Sequence, residues 1–456
     1  MAFLAATLGC FAQPLRPQLS LTIAEAVTRG LDISEEVKLA ASQTRETATG
    51  VSVARSAILP QANGQFQYTR TIRTLFSIPG FANVPLPLGQ ANGYNMALVL
   101  SQPLYRPGAM RGIQIAKDYL KSAKDQESES RLDLVLQICQ SYYDTLLANS
   151  LAAISQAQVD QLEAQLHDVQ LQRQAGNASD LDVLRVQVNR DNIAPQLVAV
   201  INSRDDSLFA LRQLLNIEKN TDLVLADQLL ADGFRPVDET ELETLVRNAL
   251  DTRASVRAAR RSAAIQELQV KQARAAYYPS VDAVGQLGEQ AYPENFFPNN
   301  RDFIDNWSVG FQINIPLFSG GRRKAQVKAA EERAKQAWLQ LELVKESVES
   351  QAEEARRELR RSADLVATRT RTTAQAARVF ELTELAYKQG VAGHLELDDA
   401  RLNLRQSRSN ETQAVHDYYL FYLRLLRLVG IPAEAFTSAN SLSSHKQTIG
   451  KQPGNP

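Results

Sequence analysis

The sequence predicts a mainly α-helical, internally duplicated chain with a membrane β-barrel part. Three observations carry that expectation. The chain repeats its own plan, each copy holds long heptad-like helical stretches, and four alternating segments of bilayer-crossing length lie between the helices.

The repeat sets the organisation. "LTIAEAVTRGLD" matches "ELETLVRNALD", so that Val27 falls on Val246, Leu31 on Leu250 and Asp32 on Asp251. Downstream, "VARSAILP" aligns with "QARAAYYP" and "SQPLYRPG" with "NIPLFSGG", and Gly176 then pairs with Gly390. The offset drifts by only a few residues, as loop-length differences between duplicated halves would make it. The expected layout is an N-terminal extension at 1–20, a first repeat at 21–230, a linker at 231–240, a second repeat at 241–431 and a polar, unstructured tail at 432–456.

Each repeat opens with a helix of about 35 residues that stops before Pro60 or Pro279; Thr22 with Glu25 makes a capping box at the first start. Strands follow near 62–74 and 92–104 in the first repeat, and near 280–292 and 306–317 in the second. "FSIPGFANVPLPLGQ" separates the first pair and is too rich in Pro and Gly to be regular; "PENFFPNNRDFID" separates the second. Long helices come last, over about 107–175 and 180–213, then 321–389 and 394–428. A helix of the first of these lengths would reach about 100 Å. Leu132, Val135, Cys139, Tyr142 and Leu146 mark its heptad-like stripe, and Val344, Val348, Ala352, Ala355 and Leu359 mark that of the second repeat.

The helices alone would suit a soluble coiled coil, but the strands have no place in one. Trp307, Val309, Phe311, Ile313 and Ile315 alternate with small or polar residues, as do Tyr94, Met96, Leu98 and Leu100. One face can meet lipid while the other lines water. Four strands cannot enclose open water, and lipid does not tolerate open strand edges. Three chains pooling their strands would close a trimeric twelve-stranded barrel. Pro316 and the Gly320–Gly321 pair would end the last strand and lead into the helix beyond.

Composition fits a folded chain: 456 residues, 44% hydrophobic, 50 basic against 51 acidic side chains, and a mean hydropathy of -0.27. The charge balance gives no reason to expect nucleic acid. "MAFLAATLGCFAQP" reads as a signal-peptide remnant with "CFA" before the cleavage point, or as a lipoprotein signal acylated at Cys10, or as a plain apolar N-terminus. The other cysteine, Cys139, sits on a helical stripe as a core thiol. The four histidines make no metal-ligand spacing, no phosphate-binding loop or nucleophile elbow occurs, and no cofactor or enzymatic activity is expected.

"LTIAEAVTRGLD", "ARSAILPQANG", "IPLFSGGRRKAQVKAAEERA", "RQAGNASDLDVLRVQ" and "YKQGVAGHLELDDAR" occur in order over about 21–431. In this the chain resembles the TolC-like outer-membrane efflux proteins of Gram-negative bacteria. The resemblance implies a trimeric twelve-stranded β-barrel continuing into a long α-helical barrel. It also implies a passive exit duct docked through a periplasmic adaptor to an inner-membrane pump, exporting drugs, dyes, metal ions or proteins. A pore-free periplasmic adaptor or helical-hairpin scaffold is the alternative.

The hairpin turns are the candidate sites. Gly176 and Gly390 suit the left-handed conformation that ends a helix. By motif position the resemblance assigns the acidic channel entrance to Glu396 and Asp399, with Asp182 a further candidate; a ring of such acids would concentrate cations. Acids in a first helical turn are also explained by the helix dipole, and Ser179 with Asp182 is itself a capping box. Where the family carries a latching Arg, this chain has Ala392. Adaptor docking would use Gly176, Ala178, Ser179, Leu181 and Leu184, with Gly390, Val391, Gly393 and Leu395; the alternative is that Leu181, Leu184 and Leu395 pack each hairpin together.

Overall fold

The computed structural model describes residues 18–72, 91–218, 221–229, 253–293 and 295–430, together with positions 243, 244 and 247. Cys10, the 231–240 linker and the 432–456 tail lie outside the described residues, as does the first interstrand loop. In order, the elements are β1 (Gln18–Leu21), α1 (Ile23–Ile33), α2 (Glu35–Ser56), β2 (Gln61–Arg70), β3 (Asn92–Tyr105), α3 (Pro107–Gln174) and α4 (Asp180–Leu214). They continue as β4 (Asp222–Leu225), α5 (Ala254–Ala275), β5 (Ser280–Ala291), a 3-10 turn (Asn300–Asp302), β6 (Phe303–Asn314), α6 (Arg322–Lys388) and α7 (His394–Val429). No described helix is long and apolar enough to cross a membrane, which says nothing of the strands.

The four expected strands are present, as are the four long helices, whose ends fall within a residue or so of expectation. Three expectations need correction. The single opening helix is two, α1 and α2, because Ser34 leaves the helical conformation at φ -54°, ψ 128° while capping Gly30. The last strand starts earlier and stops at Asn314, so Ile315 lies beyond it, and the first stops at Arg70. The expected second loop is also shorter, since Phe303–Asp305 already belong to β6.

Contacts divide the chain into two compact units. One joins Ala41–Gln126 with Arg257–Val344; the other gathers Met1–Ala40, Glu127–Val256 and Lys345–Pro456. Each draws on both halves of the sequence.

The first unit holds an antiparallel sheet in the order β2-β3-β5-β6. Its register places apolar residues of all four strands on one face: Tyr68–Tyr94–Ala291–Phe303, then Gly64–Leu98–Leu287–Trp307, then Ala62–Leu100–Gly285–Val309. The intervening rows, Gln65–Ala97–Gly288–Asn306 and Asn63–Val99–Gln286–Ser308, form the opposite, mostly polar face. Successive side chains point to opposite sides of a sheet, so this register keeps the two surfaces separate. Glu289 opposite Asp305 is an exception, in the row with Phe66 and Met96 on the apolar face. Trp307, Val309 and Phe311 are 71%, 90% and 75% exposed in the lone chain, so none of the described residues covers them. Among the described residues β2 and β6 each pair on one side only.

Aromatic groups stand at both ends of the sheet. The Tyr68 ring meets those of Tyr94 and Phe296, the Tyr94 hydroxyl donates to the Phe296 carbonyl, and Asn92 ties the strand ends to the loop by accepting from the Tyr68 hydroxyl at 2.9 Å and donating to the Asn295 carbonyl at 3.0 Å. At the other end Arg323 lies over the Tyr277 ring and donates to Ser319 Oγ and the Pro316 carbonyl, with Leu317 and Phe318 exposed beside it. Gly320 and Gly321, both at positive φ, turn the chain into α6.

The second unit is helical. Bonds run from α3 to α4 (Thr145 Oγ1 to the Ser207 carbonyl, 3.3 Å) and from α6 to α7 (Thr373 Oγ1 to the Ser407 carbonyl, 3.1 Å). Between α3 and α7, His416 Nε2 meets Asp144 at 2.8 Å, Tyr143 stacks on Tyr419 and Arg427 pairs with Asp133. The contact order is therefore α4-α3-α7-α6. Buried Val135, Ile138, Cys139 and Tyr142 of α3 fill its core. The Tyr142 hydroxyl bridges the Leu21 carbonyl and Asp227, tying α3 to the short parallel β1–β4 pair, which the sequence patterns had not suggested.

Candidate functional site at the hairpin tips

Both long hairpins turn on glycine. Gly176 has φ 78°, and Asn177 N–H donates to the Gln172 carbonyl at 2.8 Å; Gly390 has φ 74°, and Val391 N–H donates to the Ala386 carbonyl at 2.9 Å. A side chain at either φ would be strained, so glycine ends each helix where the next must start.

The new helices are capped by the residues proposed as gate acids. Asp182 accepts from the Ser179 amide and hydroxyl while Ser179 Oγ accepts from the Asp182 amide, a complete capping box. The Ser179 hydroxyl, then its amide, hold the Asp182 pKa below the usual carboxylate value. Gly393 has no side chain to cap α7; only half a box forms, with Glu396 accepting from the Gly393 amide at 3.1 Å. Arg173 pairs with Asp180 at 2.5 Å across the first turn.

Asp399 instead lines a cavity of about 840 Å3 between the hairpins, in the company of Asp398, Arg401, Arg405 and Arg408. The structure therefore separates the three acids. Asp182 lines a smaller cavity of about 300 Å3 with Arg185 and His394, and Glu396 lines neither. Asp399 and Asp182 thus stand among basic groups, and the three arginines beside Asp399 are spaced by four and three residues along α7.

The docking residues divide in a similar way. Leu166, Val169, Val183 and Val186 pack the first hairpin, with Ala178 against them. Leu181, Leu184 and Leu395 are not in that core: they are 55%, 56% and 74% exposed, as Val391 is at 80%.

A cluster that the sequence did not indicate links the hairpins just above the tips. His394 Nδ1 lies 3.1 Å from Asp398 Oδ2, and its Nε2 lies 2.6 Å from Gln165 Nε2 on α3. Arg401 donates to Gln165 Oε1 at 3.2 Å and stands 3.7 Å from Asp398, closing a ring of four side chains. The Tyr387 ring packs edge-on against His394. Among the described residues, no group of three or more His, Cys, Asp or Glu is arranged to hold a metal ion.

Known proteins share both sequence and fold with this chain. The family model described as outer membrane efflux protein matches residues 28–216 and again 245–431. The outer membrane protein TolC of Vibrio cholerae is 22% identical over 95% of this chain and 95% of its own length. The alkaline protease secretion protein AprF of Pseudomonas aeruginosa is 25% identical over 75% of this chain and 71% of its own. Among solved structures, the transmembrane-channel protein CusC superposes with a TM-score of 0.74 at 16% identity, over 90% of this chain and 92% of that one.

Proposed function

The chain belongs to the outer membrane efflux protein family, and from that premise we propose that three copies form the exit duct of a tripartite efflux or secretion assembly. It is an outer-membrane efflux channel of the mainly α fold with a β part. The finer assignments are a homotrimer, a periplasmic adaptor, an inner-membrane pump and passive conduction without catalysis. The two family matches and the aligned motifs support an internal duplication with repeats at 21–230 and 241–431.

The observation that carries the trimer is the sheet with two open edges and an uncovered apolar face. Joining β6 of one copy to β2 of the next would satisfy the edge amides and carbonyls that lipid cannot. The helical unit has a matching need. Its outer helices expose apolar residues, Val188, Val198 and Phe209 on α4 and Leu365, Val379 and Leu382 on α6. Packing α6 of one copy against α4 of the next would bury both stripes. None of the relatives described above supports the adaptor alternative.

At the tips, Glu396 and Asp399, with Asp182, are proposed as the acidic entrance, and exposed Leu181, Leu184, Val391 and Leu395 with the neighbouring small residues Gly176, Ala178, Ser179, Gly390 and Gly393 as the adaptor surface. Conductance of the purified protein in planar bilayers tests the entrance. Replacing Glu396 and Asp399 together by Ala should weaken block by multivalent cations; unchanged block would remove both from the gate. Cysteines at Ser179 or Gly393, crosslinked in cells, should trap the adaptor if the tips dock it.

A further inference from the structure

We propose that Gln165 and His394 form a proton-operated lock between the two hairpins of each protomer. The inference rests on reading the tips as the channel entrance, but its geometry is independent of the acids assigned there.

Gln165 keeps its bonds to both His394 and Arg401 only when His394 is neutral. Gln165 presents its NH2 to His394 Nε2 and its oxygen to Arg401. His394 Nε2 must then accept, so the ring proton sits on Nδ1 and is donated to Asp398. Adding a proton to Nε2 sets an N–H against the amide NH2. Turning the amide over would offer its oxygen to the imidazolium, but would then aim NH2 at the Arg401 guanidinium. Whichever way the amide lies, one of the two bonds from Gln165 to α7 is lost.

The groups around the imidazole set where and in which direction the lock responds. Asp398 and Arg401 face it from α7 itself, Gln165 from α3, Asp182 and Arg185 from α4 across the smaller cavity, and Tyr387 from α6. The hydrogen bond to Asp398 holds the His394 pKa above its ordinary value, outweighing burial. Asp398 is on His394's own helix and stays beside it when the hairpins part, so it raises the titration range without favouring either state. Asp182 belongs to the other hairpin and attracts the imidazolium, but this is the weakest of the effects on its exposed carboxyl, where solvent screens it. The direct, half-buried contact with Gln165 sets the sign: its N–H favours neutral His394 while the hairpins are joined. By linkage, acidification through the neutral range favours separation.

Spin labels on Leu181→Cys and Val391→Cys in the purified, detergent-solubilised protein read the separation of the two tips. Between pH 8 and pH 6 the separated population should rise by roughly fivefold, the effect of losing one hydrogen bond. His394→Gln should abolish the pH response. Gln165→Glu should reverse it, because a carboxylate accepts from the imidazolium and from Arg401 together. An identical response in wild type and His394→Gln, or none in wild type, overturns the lock. Conductance measured on the same variants separates the two readings: a tip separation that follows pH with constant conductance keeps the lock and discards the tips as the gate.

Discussion

Replacing Val309 by Arg tests the membrane assignment of the sheet more severely than any other single change. Val309 is the seventh of twelve residues in β6, about 20 Å along the strand from Phe303 at 3.3 Å per residue, and so close to its middle. It lies on the apolar face, 90% exposed in the lone protomer. A cation on the lipid side at that depth costs about 2–4 kcal/mol. With the three copies per barrel proposed above, the sum is roughly 6–12 kcal/mol, comparable with the whole stability of many proteins. Ser308, one residue away on the polar face, provides the control, since Arg there would face water. Heat-modifiable trimer in outer-membrane fractions, resolved by electrophoresis, is the measurement. Ser308→Arg should leave its yield near wild type and Val309→Arg should nearly abolish it. Equal yields would refute the assignment of that face to lipid.

Three further outcomes are expected. A Cβ on Gly288 would come within 2.8 Å of the Met96 backbone oxygen, whereas one on Gly64 meets nothing within 4 Å; Gly288→Val should therefore lower the trimer's melting temperature by an amount reflecting about 1–3 kcal/mol, and Gly64→Val should not. Burial lowers the His416 pKa, but hydrogen bonds to Asp144 and Asp417 outweigh it and leave it raised. Its contribution to stability is then complete below the unfolded value of about 6.5 and lost as pH rises through the higher folded value. The gap in denaturation midpoint between wild type and His416→Gln should be wider at pH 6 than at pH 9, and a constant gap would contradict it. Burial pushes the Cys139 thiol up to about 12, so in a Cys10→Ser background a maleimide at pH 8 should label the protein only after unfolding; prompt native labelling would count against the packed core.

What the sequence made legible follows from where the determining interactions lie. The strands could be read because Trp307, Val309 and Phe311 obey a period of two that the chain carries locally. The long helices could be bounded because Pro107, Gly176, Gly320–Gly321 and Gly390 act through their own backbones. The break at Ser34 had no such punctuation: neither proline nor glycine stands there, and Ser34 itself takes a non-helical conformation while Ile23, Ala26, Val27 and Gly30 of α1 are buried. β1 and β4 are four residues each and become strands only by pairing across the length of the first repeat. The tips divide along the same line. Gly176, Gly390 and the Ser179–Asp182 cap are local and were visible. The bonds among Gln165, His394 and Arg401 join distant segments, and a glutamine on a helix face carries no mark of its future partner.

The sheet's two bare edges have a consequence for biogenesis. If the proposed trimer is the membrane form, a solitary protomer could not rest in lipid with those backbone groups unsatisfied, so insertion and subunit joining would be one event and the chain would wait in water until its companions arrive. Every finished cylinder would then contain three sound copies or fail. A minority of chains spoiled along β2 or β6 would poison every cylinder they entered, so that such alleles would act dominantly over the normal gene.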